Sequence, residues 1–280
     1  MRTTPLLRVL SGEICWVTDP ACRPLLPDDE PRLRVFTPKE AREGLRGVAF
    51  QAILSLEEDP DCAALAAQFT GSQLTGVYAD SADRLQYTDD SAHWFDMSRI
   101  SRLGLAKANA LKKENTGSWQ QHLFRMIGKN FKGEPYSIFA VPGSEKTGVG
   151  IGLETRAGRQ WPNKQWGGYT QLAERLRADG HPVQPFEQQN DLRNYLQQIA
   201  ACRHIVSGDT LAMHVALAYG KTCTAIFNCT SPQEIHDYGL LNKIVSPLLG
   251  KYFYATSQDP ELVESVPVAE VYAAVKSSAK

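Results

Sequence analysis

The second half of the chain alternates short apolar segments with amphipathic ones, and this alternation restricts the possible folds more than any other feature of the sequence. The strand-like segments are residues 148–153, 181–186, 205–207 and 222–227, and the helical patterns between them are residues 169–179, 191–201 and about 210–219. In the second helical pattern, Leu192, Leu196 and Ile199 recur every three or four residues, as one buried helix face requires. Strands that alternate with helices form a parallel sheet covered on both faces. The sequence therefore predicts a parallel α/β domain here.

The first half shows a weaker version of the same alternation. Thr3, Thr4 and Pro5 predict the start of a helix, because threonine caps free amides and proline presets the first turn. Strands are predicted at 14–17, 33–36 and 50–56, and a helix is predicted at 61–69. We expect a second α/β domain, which fits a chain of 280 residues.

The predicted domain boundary is the turn at Pro142 and Gly143. It gives an N-terminal domain of residues 1–142, a C-terminal domain of residues 143–260 and a tail of residues 261–280. The tail has a helical pattern from Pro267 to Lys280, and we predict that it packs back on the first domain.

Several features bear on location. The six cysteines are scattered and do not form metal-like clusters, which is typical of a reducing compartment. No apolar run approaches the roughly 18 residues of a membrane helix, and no signal-type segment begins the chain. The sequence thus predicts a cytoplasmic protein without a metal or another cofactor, and nothing in it predicts a nucleic-acid partner.

The segment from Arg99 to Lys132 is strongly basic. It holds eight Lys or Arg residues against the single acid Glu114. Such a patch attracts phosphate groups, an anionic acceptor or the anionic inner face of a membrane, where the protein would bind peripherally. The alternative is an ordinary solvated helix face.

The turn after the strand at 205–207 is the best candidate for a binding site. There the chain passes from a buried strand into a helix, whose free amides and positive dipole end suit a phosphate. Asp209 could accept hydrogen bonds from sugar hydroxyls, Thr210, Leu211 and Ala212 offer amides, and His214 lies one turn further. In the alternative interpretation, Asp209 only caps the helix and His214 is structural.

Two further loops end at the same predicted sheet edge. Lys164, between Trp161 and Trp166, can neutralise a phosphate, although it could equally be an exposed loop cation. Residues 230–239 form either another wall of the site or a simple turn. The sequence contains no phosphate-binding P-loop, no nucleophile elbow and no glycine fingerprint for a dinucleotide.

Three of these motifs together resemble glycosyltransferase family 9, which includes the ADP-heptose:lipopolysaccharide heptosyltransferases. The motifs are Asp209-Thr210-x-x-x-His214, the loop at residues 161–166 and the strand exit at residues 227–232, and the start at residues 3–8 looks like the family's first helix. The resemblance implies the GT-B fold, in which two Rossmann-like domains with parallel sheets face a cleft. The C-terminal domain would hold most of a nucleotide-sugar donor.

The resemblance also implies roles for single residues. Lys164 would bind the donor phosphate or sugar, Asp209 the sugar hydroxyls, and Thr210 with its neighbouring amides the pyrophosphate. The backbone of Asn190 would meet the base, and Glu187 would approach the ribose hydroxyls.

The sequence departs from the family at two points. Leu211 stands where the family has a glycine that lets the pyrophosphate approach closely. Met1 and Arg2 stand where the family has a first strand and a Gly-Asp turn, whose aspartate is the proposed base. The catalytic residue is therefore unknown, and the chain is interpreted either as a shortened active enzyme or as a degenerate member that binds without turnover.

The predicted function is an inverting glycosyltransferase. It would move a sugar, with heptose as the candidate, from a nucleotide-sugar donor to a bacterial surface glycan or glycolipid such as the lipopolysaccharide core. The alternative is a catalytically degenerate subunit that binds a nucleotide sugar or a partner. A third hypothesis keeps the fold but changes the chemistry to that of a nucleotide-sugar epimerase.

Overall fold

A computed structural model describes residues 1–71, 73–144, 148 and 150–278. The internal contacts divide the chain into two compact units. The N-terminal unit consists of Pro5–Arg23 and Asp29–Glu134, and the C-terminal unit consists of Met1–Thr4, Pro24–Asp28 and Pro135–Lys280. Val149 in the first predicted strand of the second half, and Ala279 and Lys280 in the last predicted helix, lie outside the described residues.

The division falls at Pro135 instead of the predicted turn at residues 142 and 143. The reason is that the residues just after Pro135 bond to the C-terminal unit. The Ser137 amide donates to Thr4 Oγ1 at 3.2 Å, and the Tyr219 hydroxyl donates to the Phe139 carbonyl at 2.9 Å. A proline–glycine turn marks a change of direction, whereas side-chain contacts decide which unit a segment joins.

The N-terminal unit contains seven described strands, which are short. They are β1 (Ile14–Val17), β2 (Leu33–Phe36), β3 (Ala49–Phe50), β4 (Ile53–Ser55), β5 (Thr70–Gly71), β6 (Leu74–Ala79) and β7 (Leu85–Tyr87). The pairs β1–β2, β3–β5 and β4–β6 are parallel, and β7 runs antiparallel to β6. The single strand predicted at residues 50–56 is two strands, β3 and β4.

Five helices complete this unit. They are α1 (Pro38–Gly44), α2 (Pro60–Gln68), α3 (Ala92–Phe95), α4 (Leu105–Glu114) and α5 (Trp119–Met126). The N-terminus of α2 is fixed by Asp59, whose carboxylate accepts from the amides of Asp61 and Cys62. The helix predicted at the start of the chain is a 3-10 helix, Thr4–Arg8. Leu6 from that helix packs with Phe95 and Leu123 in the core of the unit.

The C-terminal unit has one five-stranded parallel sheet. Its strands are β8 (Ile151–Leu153), β9 (Val183–Pro185), β10 (His204–Gly208), β11 (Thr222–Phe227) and β12 (Leu241–Val245), in the order β12-β11-β10-β8-β9. All four pairings are parallel. The carboxyl ends of all five strands therefore lie along one edge of the sheet.

The helices of this unit are α6 (Tyr169–Ala178), α7 (Leu192–Ala200), α8 (Leu211–Ala218), α9 (Pro260–Val263) and α10 (Val268–Ser278). The predicted parallel α/β unit is confirmed, because helix and strand alternate from β8 to β11. The C-terminal helix α10 packs against α6 and the sheet within this unit. Val271 and Val275 join Leu172 and Leu176 of α6 in one buried cluster, which leaves the apolar face of α10 covered.

Among the described residues, no helix is long and apolar enough to cross a membrane.

Candidate functional site

Two loops meet at the carboxyl edge of the sheet in the C-terminal unit. Lys164 ends a short 3-10 helix after β8, and Asp209 follows the last residue of β10. Their approach requires Gly208, because a side-chain carbon built there would lie 2.6 Å from the Lys164 carbonyl oxygen. The first loop is also anchored by Asn163, whose side-chain amide donates to the carbonyls of Ala255 and Ser257 at 3.1 and 2.7 Å.

Lys164 and Asp209 form a buried ion pair. Lys164 Nζ donates to Asp209 Oδ2 at 2.7 Å and to the Asp209 carbonyl oxygen at 2.8 Å. The two side chains are only 12% and 6% exposed. Lys164 is therefore not an exposed loop cation, and Asp209 is bound by an ammonium group instead of capping α8.

Two positive groups act on the Asp209 carboxylate. Burial alone would raise the pKa of Asp209, but Lys164 and then Arg2 outweigh it and hold that pKa below its usual range. Arg2 belongs to the N-terminal segment that is part of this unit. Asp209 is therefore ionised at neutral pH and can accept hydrogen bonds.

His214 lies beside the carboxylate, on the first turns of α8. Its Nε2 atom is 3.9 Å from Asp209 Oδ1, and its Nδ1 atom is 3.0 Å from the Tyr136 hydroxyl. Burial, followed by the charge of Arg2, lowers the pKa of His214 to about 3, although Asp209 acts in the opposite direction. The ring is therefore neutral at physiological pH.

Four buried polar atoms in this region have no hydrogen-bond partner among the residues that the structure describes. They are Asp209 Oδ1, His214 Nε2, Asn228 Oδ1 and Thr230 Oγ1. Asn228 and Thr230 follow β11, which pairs in parallel with β10, so both strands end at the same edge of the sheet. Buried polar atoms are costly unless they are hydrogen-bonded. Their concentration at one edge indicates a place where a polar ligand binds.

The N-terminus of α8 differs in one respect from the sequence prediction. The Thr210 amide, expected to face the pyrophosphate, donates to the Gly208 carbonyl at 2.8 Å. The Thr210 hydroxyl lies 2.7 Å from Ser207 Oγ and does not cap the helix within the described chain. The amides of Leu211 and Ala212 belong to the first helical turn, where N–H groups have no intrahelical partner. These two amides are the donors that α8 offers.

Glu187 and Asn190 lie in the loop between β9 and α7, at the same sheet edge. Both side chains are exposed. The structure does not bring them into contact with Asp209. The loop is joined to the β8 exit by Gln188, whose Oε1 accepts from Arg156 Nη1 at 2.9 Å, and Arg156 also pairs with the buried Glu154 at 2.8 Å.

Sequence reasoning missed several residues around the site. The Tyr254 hydroxyl donates to Glu234 Oε2 at 2.5 Å, and the Tyr254 ring meets Trp161 edge-on at 5.5 Å. Arg2 and Tyr136 were also missed as neighbours of Asp209 and His214. No local pattern marks these side chains, because they come from loops far apart in the chain. Residues 230–239 include Thr230 and Glu234.

Within the described ranges, no three His, Cys, Asp or Glu side chains come together as a group that could hold a metal ion.

Comparison with protein families finds a match to part of this chain. The model described as "Glycosyltransferase family 9 (heptosyltransferase)" matches residues 189–261. The matched range contains Asn190, Asp209, Thr210 and His214, but it does not include Lys164 or Glu187. Comparison with curated proteins finds no match.

Solved structures resemble the chain over nearly its whole length. ADP-heptose lipopolysaccharide heptosyltransferase II from E. coli has a TM-score of 0.63 at 16% identity and covers 100% of this chain and 96% of its own. The glycosyl transferase family 9 protein from Veillonella parvula has a TM-score of 0.61 at 16% identity, with coverages of 99% and 92%. The E. coli heptosyltransferase WaaC, solved with ADP, has a TM-score of 0.62 at 14% identity, with coverages of 99% and 95%. The predicted GT-B fold and the resemblance to family 9 are confirmed.

Proposed function

We propose that the chain is a glycosyltransferase of the family 9 type, on the basis of its fold and of the match over residues 189–261. It transfers a sugar from a nucleotide-sugar donor to a bacterial surface glycan, with inversion at the anomeric carbon. The candidate donor is ADP-heptose, since one E. coli relative is named for that donor and another was solved with ADP. The candidate acceptor is a glycolipid of the lipopolysaccharide core type.

The proposal rests mainly on the Asp209 cluster. A sugar presents many hydroxyl groups, each of which can both donate and accept a hydrogen bond. Asp209 offers a buried, ionised acceptor. Near it, just after β10 and β11, lie His214, Asn228 and Thr230, each with a buried polar atom that lacks a partner in the described chain. Lys164 uses two of its three N–H groups on Asp209. The third N–H group is left for an oxygen atom of the nucleotide sugar.

The start of α8 supplies the second part of the proposed site. The amides of Leu211 and Ala212 point out of the first helical turn, where they would stabilise the negative charge that develops on the departing diphosphate. Leu211 is half-buried, and its side chain must turn away from the phosphates for this approach.

We assign the nucleoside to the loop after β9. Glu187 would accept from the ribose hydroxyls and the backbone at Asn190 would meet the base. Both residues are exposed, so this end of the donor would be bound at the surface of the unit.

The basic segment is the proposed acceptor side. Arg99, Lys107 and Lys113 are exposed, and Ile100 and Leu105 beside them are each 55% exposed. Cationic and apolar side chains at one surface suit a phosphorylated glycolipid at an anionic membrane face, and the protein would act there as a peripheral, cytoplasmic enzyme. The segment is not uniform, because Lys112 is buried and Arg102 pairs with Asp96 at 2.9 Å.

One observation favours the alternative of a binding subunit without turnover. Arg2 lies in the N-terminal segment, where the resemblance implies an aspartate base, and its charge acts on Asp209 and His214. A guanidinium group remains protonated and cannot take a proton from an acceptor hydroxyl.

A turnover assay separates these functions. The chain is mixed with ADP-heptose and a bacterial glycolipid extract, and ADP release and the anomeric configuration of the product are followed by NMR. A transferase releases ADP only when the acceptor is present and gives an inverted product. Donor binding without ADP release identifies the binding subunit, and a changed sugar without any acceptor identifies an epimerase. Asp209→Ala is the control, and it should abolish donor binding.

A further inference from the structure

The neutral imidazole of His214 can exist as either of two tautomers, and only one of them presents a donor to the Asp209 cluster. Nε2 lies 3.9 Å from Asp209 Oδ1, which is too far for a hydrogen bond. Both atoms are buried and have no partner within the described residues. An oxygen about 2.8 Å from each would span the gap with ordinary hydrogen-bond lengths.

Tyr136 contacts the other nitrogen of the ring. Its hydroxyl lies 3.0 Å from Nδ1 of His214, and the tyrosine is 3% exposed. If the hydroxyl donates to Nδ1, the single ring proton of a neutral histidine must be on Nε2. The ring would then offer an N–H group toward the gap beside Asp209.

The charge of Asp209 favours the same tautomer. The carboxylate is held ionised by Lys164 and Arg2. An Nε2 lone pair facing that negative charge would be repelled, whereas an Nε2–H group would be attracted. Tyr136 on one side of the ring and Asp209 on the other therefore both favour a proton on Nε2.

We propose that Tyr136 is a positioning residue that holds His214 in the Nε2–H tautomer, so that His214 and Asp209 bind one hydroxyl group of the donor sugar between them. The hydroxyl oxygen accepts from Nε2–H, and its proton is donated to Asp209 Oδ1. This inference rests on the proposed function, because it takes the ligand to be a sugar. It adds a residue 78 positions from His214 in the chain, outside the range that matches the family.

The charges around the ring make the tautomer matter. Arg2 and Lys164 both lower the pKa of His214, and together with burial they outweigh Asp209. A protonated ring would carry N–H on both nitrogens and would need no positioning. A neutral ring has one N–H, so the hydroxyl of Tyr136 decides whether that N–H faces the ligand.

The tautomer can be measured directly. In 15N-histidine-labelled protein at neutral pH, we expect His214 Nε2 to show the shift of a protonated nitrogen and Nδ1 that of an unprotonated one. Tyr136→Phe keeps the ring that packs 5.4 Å from Tyr238 but removes the hydroxyl, and it should give a mixture of tautomers. Tyr219→Phe is the matched control, because it removes a hydroxyl that donates to Phe139, near Tyr136 in the chain, and not to His214. A proton on Nδ1 in the unchanged chain overturns the inference.

Donor binding tests the consequence of the tautomer. Loss of the fixed donor in Tyr136→Phe should weaken ADP-heptose binding roughly three- to tenfold and leave ADP binding unchanged, because ADP lacks the sugar. His214→Gln places a side-chain amide in the position of Nε2, and an amide has no alternative tautomer that Tyr136 could select. In that background Tyr136→Phe should have no further effect on ADP-heptose binding. An equal loss in both backgrounds means that Tyr136 acts only on the fold.

The experiments distinguish failure of the proposed function from failure of the positioning role of Tyr136. If no nucleotide sugar binds the unchanged chain, the proposed function fails, while the nitrogen shifts still report the tautomer. If ADP-heptose binds tightly but the shifts of Tyr136→Phe equal those of the unchanged chain, the positioning role of Tyr136 is wrong and the proposed function stands.

Discussion

Two loops at the same edge of one sheet are built in opposite ways. The β10 loop, residues 209–210, carries a buried ion pair, and the glycine before it permits close contact with the Lys164 backbone. The β9 loop, residues 186–191, exposes Glu187 and Asn190. In the first loop the protein's own charges fix the polar groups before a ligand arrives. In the second, a ligand would have to order the side chains when it binds.

This difference has an energetic consequence. Burying two charges costs free energy that their mutual attraction offsets only with good geometry. A fold gains little stability from such a pair, so its presence at an edge with polar atoms that lack partners in the described chain points to binding. The contrast between the two loops can be tested in four ways, from the largest expected effect to the smallest.

The largest effect is expected when the ion pair is broken. Asp209→Asn leaves the Lys164 ammonium group buried without its counter-charge, and the free energy of unfolding should fall by about 3–5 kcal/mol. Urea unfolding measures this change. Glu187→Gln is the matched control in the β9 loop and should have no resolvable effect. A loss below about 1 kcal/mol for Asp209→Asn would mean that the pair is open to water.

Acid should destabilise the strand that leads into the β10 loop. His204 is buried between Thr222 and Thr224, and burial lowers its pKa from 6.5 to about 4. The unfolded chain then binds the proton more readily than the folded chain. Stability is complete above pH 6.5 and falls as the pH drops toward about 4, by roughly 3 kcal/mol for this group.

Urea unfolding between pH 7.5 and 4.5 tests this pH dependence. His204→Gln should flatten it, and the β9 loop contains no histidine that could replace the effect. An equally steep loss of stability in His204→Gln would assign the acid sensitivity to other groups, of which His214 is the first to test because burial also lowers its pKa.

The sequence predicted four of the five strands of the C-terminal sheet, because β8 to β11 and the helices between them have clear local patterns, whereas the edge strand β12 was not predicted. Asp209 and His214 were found for the same reason, since a buried strand followed directly by a helix is a local signal. Tyr136, Arg2 and Tyr254 could not be found in this way, because their contacts join loops that are distant in the chain. For α10, the helical pattern shows which face is apolar but not what covers it.

A smaller effect is expected for Arg156, which joins the end of β8 to the β9 loop through Glu154 and Gln188. Arg156→Gln removes the partner of the buried Glu154 carboxylate, but Tyr195 still donates to that group. Stability should fall by about 1–2 kcal/mol. Hydrogen exchange should rise in residues 186–191 and stay unchanged at 209–214. Faster exchange in both segments would show that the two loops are coupled.

The smallest effect is expected for the exposed side chains themselves. Glu187→Ala and Asn190→Ala should change the free energy of unfolding by less than about 0.5 kcal/mol. If the nucleoside binds there, Glu187→Ala should weaken ADP binding a few-fold by removing hydrogen bonds to ribose. Asn190→Ala should leave ADP binding unchanged, because its backbone makes the proposed contact. If the unchanged chain, Glu187→Ala and Asn190→Ala all bind ADP with equal affinity, the nucleoside binds elsewhere.

The central claim is that the Lys164–Asp209 pair binds the sugar diphosphate. The most direct test is calorimetric titration of ADP-heptose into the unchanged chain and into the double variant Lys164→Met, Asp209→Leu, which replaces the pair by apolar side chains and should remain folded. We predict that the unchanged chain binds and that the double variant binds at least about a hundredfold more weakly. Equal affinity in a folded double variant would contradict the account.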